Sequence, residues 1–184
     1  MSRQYPSGWD TVERRDAAGF SIRRHVDSDR AAMYAFIAHD AAGTPYVEVP
    51  TYFLRLALEG RTDESRGIVA ERGGEMLGFA LYGDVAGAVG TGRIHFIGVT
   101  ASSRLNAVGV SLCDAAVTDL ATTGARTVIA ELPDDPLLVS GRALLARCGF
   151  AEVGRVPDYY RDGIALIILA RRTGDTATAR AARG

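Results

Sequence analysis

The chain has 184 residues, 47% of them hydrophobic and 23% charged, with a formal net charge of -1. That is enough for one self-sufficient core, and it excludes wholesale disorder and a strongly basic nucleic-acid binder. All 21 basic residues are arginine, which excludes phosphate-loop lysines, Schiff-base chemistry and lysine general bases.

Residues 1–18 are polar and show no periodicity, which predicts an N-terminal arm. They contain no apolar stretch of signal-peptide type, so a cytoplasmic protein is expected. The longest apolar run, residues 164–170, is far too short to cross a bilayer. Phe20, Ile22 and Val26 begin a strand-like pattern, and Asp27-Ser28-Asp29 is a helix start signal. A helix is predicted over residues 30–40, with Met33, Phe36 and Ile37 on one face. A second is predicted over residues 50–59, carrying Phe53, Leu54, Leu56 and Leu58. The period then changes from helical to alternating. Residues 68–71 and 76–81 read as two strands around Gly73-Gly74, a hairpin-turn signal. Residues 83–92 form a loop of small residues, and residues 93–99 form the fourth strand.

A helix is predicted over residues 104–123, with Val108, Leu112, Ala115, Ala116 and Leu120 as its buried stripe and Gly124 as its stop. Residues 127–130 are a short unbroken apolar strand, the fifth, and Pro136 can open a helix that ends before Gly149. Residues 150–156 and 164–171 are the last two strands, around a turn at residues 157–163. Residues 173–184 have no apolar face and are expected to be a disordered tail, leaving one domain over residues 19–172. The order describes an α/β mixed sheet, mostly antiparallel, in which the helix at 104–123 joins the fourth and fifth strands as a parallel pair.

Cys113 and Cys148 form no C-x-x-C and have no histidine cluster beside them, so neither a metal site nor a disulfide framework is expected. Cys113, in mid-helix, is a poor nucleophile candidate. The informative segment is the one from Ile97-Gly98-Val99 into Arg104-Leu105-Asn106-Ala107-Val108-Gly109-Val110. Here a strand ends, small or polar residues turn, and a helix begins. Unpaired N–H groups, the helix dipole and Arg104 would together cradle an anion such as pyrophosphate. An ordinary strand-to-helix junction with small residues for close packing reads equally from the same run.

The span from about Phe20 to Arg171 resembles the GNAT N-acetyltransferase superfamily. Arg104-Leu105-Asn106-Ala107-Val108-Gly109 matches its R/Q-x-x-G-x-G/A signature, with Ala107 in place of the first glycine. Arg147-Cys148-Gly149-Phe150 and the tyrosine turn Tyr159-Tyr160-Arg161-Asp162-Gly163 match two further landmarks. The resemblance implies a GNAT-like acyl-CoA N-acyltransferase fold, with a parallel pair between the fourth and fifth strands and helices on both faces. It implies acetyl-CoA as the acetyl donor and a primary amine, on a small molecule or a peptide, as acceptor. The acceptor would attack directly in a ternary complex, with Ile97, Gly98 and Val99 beside the cofactor and the Val99 N–H on the oxyanion. No nucleic-acid or membrane partner is implied, and a homodimer is compatible.

His95 falls where relatives carry a general base, and it shares a strand face with Ile97 and Val99 if no bulge intervenes. Packing of the same ring on the strand face is the competing expectation. Glu131, at the end of the fifth strand, could orient the amine or serve as the rival base, against the competing expectation of a solvated strand-end carboxylate. Tyr159 and Tyr160 would wall the acceptor site, and either phenol could donate a proton; buried packing with one satisfied hydroxyl is the competing and favoured expectation. The region of Asp40, Tyr46, Glu48 and Tyr52 would shape the acceptor pocket in the resembling family, while an ordinary solvated loop reads slightly better from the same residues. The tyrosine acid common in the family is missing, because Leu138, Gly141 and Leu145 stand at its Asn, Ala and Tyr positions. A catalytically weak acyl-CoA-binding or regulatory module is therefore the second expectation. A dinucleotide-binding oxidoreductase is excluded, because no G-x-G-x-x-G follows the first strand.

Overall fold

The computed structural model describes residues 14–15, 19–40, 44–101 and 107–176. In chain order the elements are β1 Arg14–Arg15, β2 Ser21–Arg24, α1 Arg30–Asp40, α2 Glu48–Leu58, β3 Arg66–Arg72 and β4 Glu75–Asp84. They continue with β5 Thr91–Val99, α3 Val108–Thr122, β6 Thr127–Pro133, α4 Val139–Arg147, β7 Ala151–Arg161 and β8 Ile164–Arg172. Among the described residues the strands form one sheet in the order β1-β2-β3-β4-β5-β6-β8-β7. Its pairs are antiparallel except β5–β6, which is parallel and joined through α3. That is the expected mixed sheet with the expected crossover.

Alternation along the strands sends apolar side chains to both faces, and helices cover each. Ile68, Ala80, Tyr82 and Ile94 pack with Val108, Leu112, Ala116 and Leu120 of α3. Val69, Phe79 and Leu81 pack on the other face with Met33 and Ile37 of α1 and Leu54 of α2. α3 is pinned by its one buried acid. Asp119 accepts from Arg66 Nη1 at 3.1 Å, Tyr82 Oη at 3.0 Å and Arg24 Nη2 at 3.4 Å. A buried carboxylate with three donors from β2, β3 and β4 is satisfied; removing one partner would leave it exposed to the full desolvation cost.

Several boundaries differ from expectation. The expected arm contributes β1, which pairs Arg14 with Ile22 and Arg15 with Ser21. α3 begins at Val108, and residues 102–106 lie outside the described residues. β7 runs on to Arg161 through a register shift between Val156 and Arg161. Asp158 there has φ 51°, and its Oδ1 accepts from Gly163 N at 2.8 Å. The side-chain bond offsets the left-handed conformation. The expected free tail starts docked: Thr173 N donates to Arg126 O at 3.1 Å and Thr173 Oγ1 to Ala125 O at 2.9 Å.

Candidate active site

β5 and β6 pair only from Thr91 to Ile94 and from Thr127 to Ala130. Beyond that point each follows its other neighbour. β5 stays on β4 as far as Val99 opposite Gly78, and β6 stays on β8 as far as Pro133 opposite Leu166. The sheet therefore splits into a gap between two strands that remain anchored. Thr100 N donates to Leu77 O at 2.8 Å, so at that position the β5 backbone bonds to β4. Backbone groups alternate sides along an antiparallel strand. The N–H and C=O of Val99 and Ile97 therefore point away from β4, into the gap. Gly98 between them is required by space. A Cβ there would lie 2.4 Å from Phe36 Cε1 and 2.7 Å from Phe96 Cε1.

The start of α3 adjoins this edge. Its first helical bond runs from Ser111 N to Ala107 O at 2.9 Å, so the N–H groups of Val108, Gly109 and Val110 have no acceptor within the helix. A Cβ on Gly109 would lie 3.1 Å from Leu144 Cδ1 and 3.6 Å from Val99 Cγ1. Gly109 thus lies where the start of α3 meets α4 and the end of β5. Of the expected cradle, Ala107, Val108, Gly109 and Val110 are placed at the helix start. Arg104, Leu105 and Asn106 lie outside the described residues.

A bulge does intervene at His95. Leu81 pairs with Phe96 but Tyr82 pairs with Ile94, which leaves His95 as the extra residue. The bulge keeps Ile94, Ile97 and Val99 on the α3 face and turns His95 to the α2 face. The expected shared face is thus replaced by two opposite ones. The His95 ring stacks on Phe53 of α2, with centroids 3.5 Å apart and planes within 6°. Its Nε2 lies 2.9 Å from Glu64 O. A carbonyl only accepts, so Nε2 carries the proton, and the buried Nδ1 is a bare acceptor without a partner. Burial, with Arg93 adding to it, holds the imidazole down to about 4, against the smaller opposing effect of the Glu64 bond. Gly83 makes room for this arrangement, since a Cβ there would sit 2.2 Å from Glu64 O.

Glu131 stands at the mouth of the gap, one residue past the last β5–β6 pair, and Arg93 Nη2 holds its Oε1 at 3.1 Å. Tyr160 is 37% exposed and Tyr159 60%. Their rings meet edge to face at 5.0 Å, and Tyr160 meets Tyr46, from the α1–α2 loop, at 5.7 Å. Burial raises the Tyr160 phenol, and the neighbouring Tyr159, Glu131 and Tyr46 raise it further. It therefore stays protonated and lies within electrostatic reach of Glu131.

Beneath these rings is a residue that the sequence reading passed over. Asp135, its side chain 3% exposed, accepts from Leu137 N at 2.9 Å, Tyr46 Oη at 2.8 Å and Arg161 Nη2 at 2.6 Å. The bonds from Leu137 and Tyr46, then the Arg161 charge, lower its carboxyl. The Asp-Pro step at 135–136 is a cap signal for the short 3-10 turn Pro136–Leu138 that follows. Its contacts 89 and 26 residues away leave no local trace. Leu145, at the position of the missing tyrosine, is buried in the α3-side core. Cys113 and Cys148 are free and buried. The Cys148 contact and burial push the Cys113 thiol up, which disfavours the nucleophilic thiolate.

A family model described as the Acetyltransferase (GNAT) family matches residues 28–150. The chain belongs to that family. No curated protein matches it in sequence. Solved structures share its fold. One, described as a GNAT-family acetyltransferase from Desulfovibrio desulfuricans, is 23% identical with a TM-score of 0.75, covering 84% of this chain and 99% of that one. Another, described as an acetyltransferase from Salmonella typhimurium with its cofactor acetyl-CoA, is 16% identical with a TM-score of 0.69, covering 86% and 96%. An aminoglycoside 6'-N-acetyltransferase complexed with coenzyme A is 15% identical with a TM-score of 0.67, covering 83% and 96%. No described helix is long and apolar enough to cross a membrane.

Proposed function

We propose that the chain transfers the acetyl group of acetyl-CoA to a primary amine of a small molecule or peptide, by direct attack in a ternary complex. The observation that carries this is the gap between β5 and β6, edged by the free backbone groups of Ile97 and Val99 and headed by the unpaired N–H groups of α3. The residues present fit the donor. Val108, Gly109 and Val110 offer N–H groups to a pyrophosphate, and the β5 edge offers bonds to an extended amide-bearing arm. Arg104, Leu105 and Asn106 complete the cradle in this reading.

The amine nitrogen forms a bond to the acyl carbon while the Val99 N–H takes the developing oxyanion. The C–S bond then breaks and the thiol leaves. Glu131, at the mouth of the gap, takes the proton lost by nitrogen, directly or through water. Tyr160, protonated and within electrostatic reach of Glu131, donates a proton to the departing sulfur; Tyr159, more exposed, walls the entrance. A thiolate with a pKa of about 8.5 is already a tolerable leaving group, so one weak acid suffices. His95, with Nδ1 buried and Nε2 on Glu64 O, packs the β5 bulge against α2 and is not the base in this reading. A group held near 4 does not keep the proton.

The burial of Leu145 where the family commonly carries its acid favours one other reading, a binding module of the same fold. Two measurements separate the readings. Coenzyme A should raise the melting temperature in both. Only the enzyme releases free thiol from acetyl-CoA when offered amines. No stabilisation by coenzyme A would refute both.

A further inference from the structure

We propose that Tyr46, Asp135 and Arg161 form a clasp that ties the α1–α2 loop to the β7–β8 hairpin and fixes the Tyr160 hydroxyl at the mouth of the gap. Three segments distant in sequence meet at one carboxylate. Tyr46 Oη donates to Asp135 Oδ2 at 2.8 Å, and Arg161 Nη2 donates to the same oxygen at 2.6 Å. The other oxygen, Oδ1, accepts from Leu137 N at 2.9 Å, so the carboxylate cannot rotate away without breaking the cap of the turn after β6. Asp135 is therefore a fixed post, two residues beyond the end of β6.

Arg161 directly follows Tyr160 in the chain. Anchoring its guanidinium fixes the backbone on which the Tyr160 ring stands, next to a stretch where β7 slips its register. Tyr46 fixes the same ring from the other side, edge to face at 5.7 Å. A half-exposed tyrosine on an irregular edge strand would otherwise sample several rotamers. With its neighbour Arg161 and its ring partner Tyr46 both held at Asp135, Tyr160 is ordered before any acceptor arrives, which is where a positioned acid gains its rate. Charge-assisted bonds to a nearly buried acceptor are the strong kind. Tyr46 and Asp135 are positioning residues in this account, acting through Tyr160.

The catalytic consequence rests on the acetyltransferase reading, but the clasp itself does not. Two measurements keep them apart. Hydrogen–deuterium exchange of wild type and Tyr46→Phe needs no activity. The clasp predicts faster exchange in both residues 44–47 and residues 158–162; loosening confined to residues 44–47 would overturn it. Kinetics then test the consequence. Tyr46→Phe should lower kcat about tenfold, the worth of a charge-assisted hydrogen bond, with the KM for acetyl-CoA unchanged. In a Tyr160→Phe background the same change should cost less than about twofold, because the group it positions is gone. An equal cost in both backgrounds, or no loss in the first, would overturn positioning through Tyr160. Asp135→Asn keeps the shape and is the second variant, expected to loosen both segments more than Tyr46→Phe. A wild type that acetylates no amine would instead sink the acetyltransferase reading, and the exchange data would still decide the clasp.

Discussion

His95 lies flat against Phe53, ring on ring at 3.5 Å, with its Nε2 committed to Glu64 O. The contact joins the bulge of β5 to α2 and to the loop before β3, on the sheet face opposite Ile97 and Val99. An imidazolium would have to give up water in this position with only one carbonyl facing it. The neutral ring is favoured, and that has consequences for both stability and rate.

In the unfolded chain an imidazole takes its proton near 6.5, and in the fold His95 takes it near 4. Between those values the unfolded state binds more protons. This contribution to stability is therefore complete above about pH 6.5 and is lost as pH falls toward 4. The shift corresponds to about 3 kcal/mol. Chemical denaturation at pH 7 and pH 4.5 should show the wild type losing more than His95→Gln, whose amide can still donate to Glu64 O. Equal losses in the two proteins would show that the ring titrates freely.

The same depressed value predicts that activity has no limb near pH 6.5 belonging to His95. The pH profiles of kcat/KM for wild type and His95→Gln should keep the same shape from pH 5.5 to 8. A limb that disappears in the variant would restore His95 as an ordinary base.

Gly78, where β4 crosses Gly98 of β5, should be far less replaceable than Gly109 at the start of α3. A Cβ at Gly78 would lie 2.4 Å from the backbone oxygen of Gly98, whereas one at Gly109 meets the flexible end of Leu144 at 3.1 Å and Val99 Cγ1 at an ordinary 3.6 Å. Gly78→Ala should cost roughly 1–3 kcal/mol as an overpacking change and weaken coenzyme A binding, because the Val99 edge must move. Gly109→Ala should be close to neutral in stability, since gained helix propensity offsets the contact. Thermal melts with and without coenzyme A read both effects.

The architecture was legible because it is written locally. The Gly73-Gly74 turn, the stripe of α3 and the apolar strands at 127–130 and 164–171 each carry their own period. The bulge at His95 was not, because it arises from the pairing of β5 with β4 and moves one side chain across the sheet without changing any local pattern. The Asp135 and Asp119 clusters were hidden for the same reason. Each acid looks like a solvated residue until strands and loops from elsewhere converge on it.

Thr173 docks the chain beyond β8. Ending the chain after Arg172 removes the Thr173 N–H and hydroxyl bonds to Arg126 O and Ala125 O and should lower the melting temperature by a few degrees, at about 1 kcal/mol per donor. Ending it after Thr176 should leave the melt unchanged. Identical melts for the two truncations would show that the Thr173 bonds contribute nothing.

The most direct test of the central claim, that the β5–β6 gap presents a thioester to an amine, is thiol release from acetyl-CoA. Purified protein would be offered polyamines, amino acids, aminoglycosides and peptide N-termini in turn. The account predicts amine-dependent release of coenzyme A thiol, matched one for one by acetylated amine and reduced about 10²-fold or more in Glu131→Gln, as loss of a general base should do. Tight coenzyme A binding with no amine-dependent thiol release across the panel would contradict it.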